Sequence, residues 1–290
     1  MGSIVYNGKT IRVIEPQTIE DAVASLFVKA NYTLTGDVTD CIACAAVRES
    51  KPLARQVLSR LLDNVEAAKA IDVPVCQDTG MAVVFAYVGE DVFVNGSLQD
   101  AVDRGVRRAY IDGALRLSVV RDPLYDRTNT EDNTPAILHI RPVKGDALRL
   151  VALPKGFGSE NMSALRMFTP SATEDDIVRF VVDTVVKAGS NPCPPISVGV
   201  GLGGDFEQCA ALAKECFTRP LDDTHPDARY AALEARLLHE INLTGIGPQG
   251  FHGDTTALAV KVAAAPTHIA GLPVAVNINC HVVRHAEITL

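Results

Sequence analysis

The sequence predicts a mixed α/β protein in which small β-sheets are surrounded by helices. Two observations predict it. Amphipathic stretches with a 3.6-residue apolar period alternate along the chain with short apolar runs bounded by Gly, Pro, Asn and Asp. The chain is also 290 residues long and 47% hydrophobic, enough to bury a sizeable core. No internal repeat, low-complexity tract or linker composition interrupts it, so residues 1–290 are read as a single domain.

Met1 to Pro16 is polar and β-like. Apolar residues at Ile19, Ala22, Val23, Leu26, Phe27 and Ala30 then predict a helix over 18–30, capped by Thr18 with Asp21 three residues on. Further helices fit 37–49 and 52–70, the latter with Leu53, Val57, Leu61, Leu62 and Val65 on one face. The run 81–88 and the run 92–94, joined through Gly89-Glu90-Asp91, predict two strands in a hairpin. A helix over 98–117 and a polar loop over 123–134 follow. A second hairpin is expected from 135–140 and 147–153 around Lys144-Gly145-Asp146. After the glycine-rich loop 154–161 the pattern predicts a short helix to Phe168, a helix over 174–188, and a stop at Gly189 to Pro195. Residues 196–204 alternate Val and Gly, as in a strand that another backbone approaches closely. Helices at 206–218 and 228–241, a Gly-rich turn at 245–253 and strands at 257–263 and 274–279 complete the chain, with a solvated tail after Cys280.

The net charge of −8 and the absence of a basic stripe exclude a general nucleic-acid binder. With no Trp and 5% aromatics, a base-stacking platform is also excluded. No apolar run is long enough for a bilayer, and the N-terminus lacks the charged-then-apolar leader of a secreted protein. The expectation is a protein of the reducing cytoplasm, consistent with its seven unevenly spaced cysteines.

The cysteines divide into two kinds. Cys41 and Cys44 form a C-x-x-C among Ile42, Ala43, Ala45, Ala46 and Val47, without the second pair that a zinc site needs, and are read as core packing. Cys209 and Cys216, seven apart on one predicted helix face, are read the same way. Cys76, Cys193 and Cys280 instead sit at turns. Cys76 opens Cys76-Gln77-Asp78-Thr79-Gly80, Cys193 is enclosed by Pro192, Pro194 and Pro195, and Cys280 ends a strand ahead of His281 and His285. Three thiols so far apart in sequence suit a cluster held across a fold better than a zinc knuckle. Because iron–sulfur cubanes usually take four thiolates, three would leave one iron open as a Lewis acid.

Together Cys76-Gln77-Asp78-Thr79-Gly80, the loop Lys155-Gly156-Phe157-Gly158-Ser159-Glu160-Asn161, Cys193-Pro194-Pro195 and the Gly245–Gly253 region resemble the class I iron–sulfur fumarate hydratases and the related L(+)-tartrate dehydratases. The chain looks like the α subunit of a two-subunit member, or the N-terminal domain of a single-chain one. The resemblance implies that family's fold and a [4Fe–4S] cluster on Cys76, Cys193 and Cys280. It further implies substrate contacts from Gln77, Asp78, Arg116 and Gly158, with Asp78 catalytic. The implied reaction is reversible hydration of fumarate to (S)-malate, a step of the tricarboxylic acid cycle. The alternative is L(+)-tartrate dehydration. Where the single-chain enzymes carry a His-Asp pair this chain has Leu258-Ala259, with His252 and His268 as substitutes to consider. The family's second domain is absent, so a β-subunit carrying the remaining catalytic groups is expected, in a higher oligomer of α–β pairs.

Other functions remain to be weighed on the same residues: a cluster-binding sensor without turnover, and a zinc-binding structural protein. For Asp78 the competing role is turn formation, and for Arg116 that of a surface arginine at a helix end. A phosphate cradle at Gly156 to Asn161 lacks the Walker spacing.

Overall fold

The computed structural model describes residues 2–290; Met1, part of the β-like N-terminal reading, lies outside them. The architecture is mixed α/β with three small sheets, as the sequence predicts. Internal contacts divide the chain into two compact units. The first comprises residues up to Thr33, Asp72–Lys155 and Arg284–Leu290; the second comprises Leu34–Ile71 and Gly156–Val283.

In the first unit, β1 (Gly2–Tyr6) and β2 (Lys9–Ile14) form a hairpin whose second strand also pairs with β4 (Val92–Val94) in parallel. The main sheet runs β11-β6-β3-β5, from β3 (Met81–Gly89), β5 (Ile137–Val143), β6 (Leu148–Lys155) and β11 (Ala286–Thr289). Helices α1 (Pro16–Tyr32) and α4 (Leu98–Asp112) bury Val23, Phe27, Val102 and Val106 against Val84, Ala86, Leu150 and Ala152 of that sheet.

Both expected hairpins are corrected here. β3 does not pair with β4, and β5 and β6 do not pair with each other; β3 lies between them, parallel to β5 and antiparallel to β6. The cause is burial. Residues Ala82 to Ala86 are almost fully removed from solvent, and a central strand needs ladder partners on both edges, which the short β4 cannot supply. Helix α1 begins at Pro16, whose missing N–H costs nothing at a first helical position, so Thr18 lies inside the helix and is not its cap. Helix α4 stops at Gly113, before the expected end at Leu117, because Ala114 turns to φ +48°. The tail is only partly solvated: Glu287 to Thr289 are exposed, but β11 pairs with β6, and Leu290 exchanges both backbone hydrogen bonds with Leu148 and is buried.

In the second unit, α2 (Gly36–Arg48) and α3 (Pro52–Ala70) precede a sheet ordered β7-β10-β8-β9. Its strands are β7 (Ala164–Phe168), β8 (Ile196–Gly204), β9 (Ala257–Thr267) and β10 (Leu272–Asn279). Helix α5 is only Phe157–Glu160; the expected helix to Phe168 is corrected to strand β7, which gains its hydrogen bonds from β10. Helices α6 (Glu174–Ala188) and α8 (Ala228–Leu243) pack Val181, Val185, Leu237 and Ile241 on Val198, Val200, Val276 and Ile278. The other face takes α7 (Phe206–Glu215), which comes so close that a Cβ on Gly199 or Gly201 would stand 2.0 Å from the Ala213 or Cys209 carbonyl oxygen. That close approach explains the Val/Gly alternation of β8. Among the described residues no helix is long and apolar enough to cross a membrane.

Candidate active site

The turn that follows Cys76 is built entirely within the first unit. Asp78 Oδ1 accepts the Gly80 N–H at 3.0 Å, closing an Asx turn. Gly80 has φ +77°, and a Cβ there would meet the Lys155 backbone at 2.7–2.9 Å, so only glycine fits. Thr79, buried, accepts the Arg116 N–H on Oγ1 at 2.8 Å and so fixes the segment carrying Arg116. Tyr110 directs its hydroxyl at the Thr79 and Gly80 carbonyls, 2.9 Å from each, and Asn133 Nδ2 donates to Gly80 O at 3.2 Å. Burial pushes the Tyr110 hydroxyl well above its ordinary pKa, which keeps it a donor. Arg284 donates from Nη2 to the Asp78 carbonyl. On this scaffold Cys76 and Asp78 are half-buried, whereas Gln77 and Arg116 are exposed. Arg116 is not at a helix end: it lies in the segment after α4, held by its backbone.

Cys193 and Cys280 come together in the second unit. Cys193 is exposed, in the left-handed region at φ +55°, and Cys280 is half-buried just after β10. His281, the next residue, bonds to the Cys193 carbonyl through Nδ1 at 3.0 Å and its backbone N–H at 3.4 Å. A carbonyl only accepts, so this contact is a hydrogen bond in the tautomer that carries the proton on Nδ1; Gln249 Nε2, itself a donor, lies 3.3 Å from the same nitrogen. Gln249 reaches the neighbouring carbonyl, Pro194 O, with both its backbone N–H and its side-chain Nε2, each at 2.7 Å. The Gly245–Gly253 turn is therefore a bracket for the Cys193 loop. Its own shape depends on positive φ at Gly247 and Gln249, and on Glu49, whose buried carboxylate accepts the N–H groups of Asp254 and Thr255 at 2.9–3.1 Å. Gln249, Glu49 and Arg284 were not singled out by sequence; the density of glycines at 245–253 is the one signal that pointed near them.

Gly158 is the second residue of α5, and a Cβ there would make only an ordinary 3.6 Å contact with Asn191 O. Glu160, at the end of α5, accepts from Lys214 Nζ and, at 3.0 Å, from Asn277 Nδ2, which secures the loop over β10.

The remaining cysteines separate as follows. Cys209 and Cys216 are buried as expected, and burial pushes the Cys216 thiol up to about 12. Cys44 is exposed and Cys41 half-buried, which corrects the core reading of that pair. Helix α2 buries Val38, Ile42 and Ala45, and this face turns Cys41 and Cys44 aside onto a cavity of about 470 Å³ lined also by Asp37, Asp40 and Asp222. Among the described residues no three His, Cys, Asp or Glu side chains are gathered for a single metal ion. His252 contacts Gly245 O through Nδ1 at 3.3 Å, and His268 Nδ1 accepts the Ala270 N–H at 3.2 Å.

This chain presents thiols, a carboxylate and an amide on braced turns, where functional groups concentrate. Comparison with known proteins gives its kind: residues 20–289 match the family model described as fumarate hydratase (Fumerase), and the chain belongs to that family of hydro-lyases. It is 37% identical over 273 residues to a protein of Methanocaldococcus jannaschii named putative L(+)-tartrate dehydratase subunit alpha, covering 92% of this chain and 96% of that one. It is 29% identical to the L(+)-tartrate dehydratase subunit alpha of Escherichia coli O157:H7 over 281 residues, 93% of this chain and 92% of that protein. The same name and identity recur in Shigella sonnei over 282 residues.

Proposed function

We propose that this chain is the α subunit of an L(+)-tartrate dehydratase, removing water from the diacid to give oxaloacetate in partnership with a β-subunit. The observation that carries the choice of tartrate over fumarate is the end-to-end similarity to proteins named as that subunit. Hydration of fumarate to (S)-malate is the second reading, favoured by the description of the family model. Residues 1–290 are taken as one α-type domain of such an enzyme, working in the cytoplasm within an oligomer of α–β pairs.

In this reading Cys76, Cys193 and Cys280 hold a [4Fe–4S] cluster. Their chemistry suits it: three soft sulfur donors at turns, two of them paired through His281, and none in the buried cores that hold Cys209 and Cys216. When bound, such a cluster supplies an open iron that draws electron density from the hydroxyl leaving as water. The chain's own groups bind and orient. Arg116, exposed on a segment pinned to Thr79, takes a substrate carboxylate, and Gln77 offers an amide beside it. Asp78 is the catalytic carboxylate, held in one orientation by Gly80 N–H and able to exchange a proton with the substrate. Gly158 leaves room: protein packing alone accommodates a methyl group there, consistent with a glycine kept small for a ligand.

The test is turnover. The chain, produced anaerobically with its β partner, is assayed by ultraviolet absorbance on L-tartrate and on fumarate. Preferred conversion of L-tartrate supports the proposal, preferred conversion of fumarate replaces it by the second reading, and no conversion of either overturns both.

A further inference from the structure

The carbonyls of Asp78, Thr79 and Gly80 are all held by side-chain donors, and Arg284 is the unusual one. It is 2% exposed, gives Nη2 to Asp78 O, and leaves Nε and Nη1 without any hydrogen-bond partner. No carboxylate pairs with it among the described residues. A guanidinium taken from water without a counter-charge is costly, and Asp78 O needs no charge to be satisfied, since a neutral amide serves Gly80 O next door. The placement is not loose either. Two residues on, β11 joins β6, and Leu290 is bonded to Leu148 on both sides, so the main chain at Arg284 is tied to the sheet that carries the turn.

The consequence for the turn is geometric. Because the peptide group is planar and trans, drawing the Asp78 carbonyl toward Arg284 sends the Thr79 N–H the opposite way. The Gly80 N–H is already taken by Asp78 Oδ1. The turn thus has a buried guanidinium behind its 78–79 peptide, a source of positive potential beside the Asp78 carboxylate of the kind that favours an anion.

We propose that Arg284 is a positioning residue for an anionic substrate: it fixes the 78–79 peptide and supplies positive potential that makes the Cys76–Gly80 turn select dicarboxylates over monocarboxylates. This rests on the reading that the turn meets the substrate. Arg284 acts through the turn and does not itself touch the ligand.

The experiment compares wild-type α–β enzyme with Arg284→Gln and Arg284→Lys, measuring binding of succinate, an unreactive C4 dianion, and butyrate, a monoanion of the same length, by calorimetry. Gln preserves a donor for the Asp78 carbonyl but not the charge; Lys preserves the charge. The expected result is that Arg284→Gln loses succinate affinity by about tenfold and butyrate affinity by clearly less, with Arg284→Lys keeping the wild-type preference. A merely structural arginine would move both ligands together. Equal loss for the two anions, an unchanged Arg284→Gln, or a wild type without preference for succinate overturns the proposal. Should Arg284→Gln fail to fold, Arg284→Lys decides alone: loss of the succinate preference at an unchanged melting temperature contradicts the role of charge, and its retention supports it. Wild type that prefers succinate but turns over neither tartrate nor fumarate sinks the dehydratase reading and leaves this one standing; tartrate turnover with an unaltered Arg284→Gln does the reverse.

Discussion

His281 Nδ1 stands 3.0 Å from the carbonyl oxygen of Cys193, so the residue after one turn cysteine fastens the backbone of another that lies 88 positions away from it in sequence. The backbone N–H of the same residue makes a second contact to that oxygen, at 3.4 Å. If both thiols hold one cluster, His281 is the group that sets their spacing.

His281→Ala should therefore weaken cluster retention with little effect on folding. Iron release into a chelator is expected to accelerate by about tenfold, the scale on which outer groups tune metal sites. Thermal unfolding should fall by no more than the loss of about one hydrogen bond, about 1 kcal/mol. Release at the wild-type rate would remove His281 from the site.

Gly80→Ala tests the turn itself. The new methyl group would press on the Lys155 backbone at 2.7–2.9 Å in a left-handed conformation that L-residues avoid. Displacement of the turn and a loss of about 1–3 kcal/mol are expected, read from urea midpoints. Gly158→Ala, with its nearest contact at 3.6 Å, should leave the same midpoints unchanged.

Acid stability should depend on Asp223. Burial alone would raise its pKa, but hydrogen bonds from Arg219 and Lys261 prevail and hold it below the usual carboxylate value. A depressed carboxylate contributes stability above its unfolded pKa, about 3.9, and loses that contribution as pH falls through the lower folded value. Asp223→Asn is thus expected to be clearly less stable than wild type at pH 7, the buried Lys261 having lost its charged partner. The gap should narrow as pH falls below about 4. Denaturation midpoints across that range check it; a gap that widens in acid would contradict the assignment.

The sequence made the local features legible because local chemistry determines them. Helices α3 and α6 and strand β8 fall where the apolar period, Pro52, Gly189 and the Val/Gly alternation place them. The polar turn after Cys76 announces itself through Asp78 and Gly80. Pairing was not legible: the runs at 81–89 and 92–94 look like a hairpin, yet β3 takes its partners from residues beyond 136, since burial on both faces is decided by the whole core. Cys44 misled because the alanines around it hide which side of α2 is covered, a matter settled by Val38 and Ile42. Arg284 and Gln249 gave no signal, as each acts on a carbonyl that only the fold brings near.

Iron and acid-labile sulfide per chain, after anaerobic reconstitution of wild type, Cys193→Ser and Cys44→Ser, test whether Cys76, Cys193 and Cys280 carry the cluster. Wild type and Cys44→Ser are expected to be brown with equal iron and sulfide, and Cys193→Ser to retain neither; equal iron in the two variants, or a colourless wild type holding zinc, would contradict that assignment.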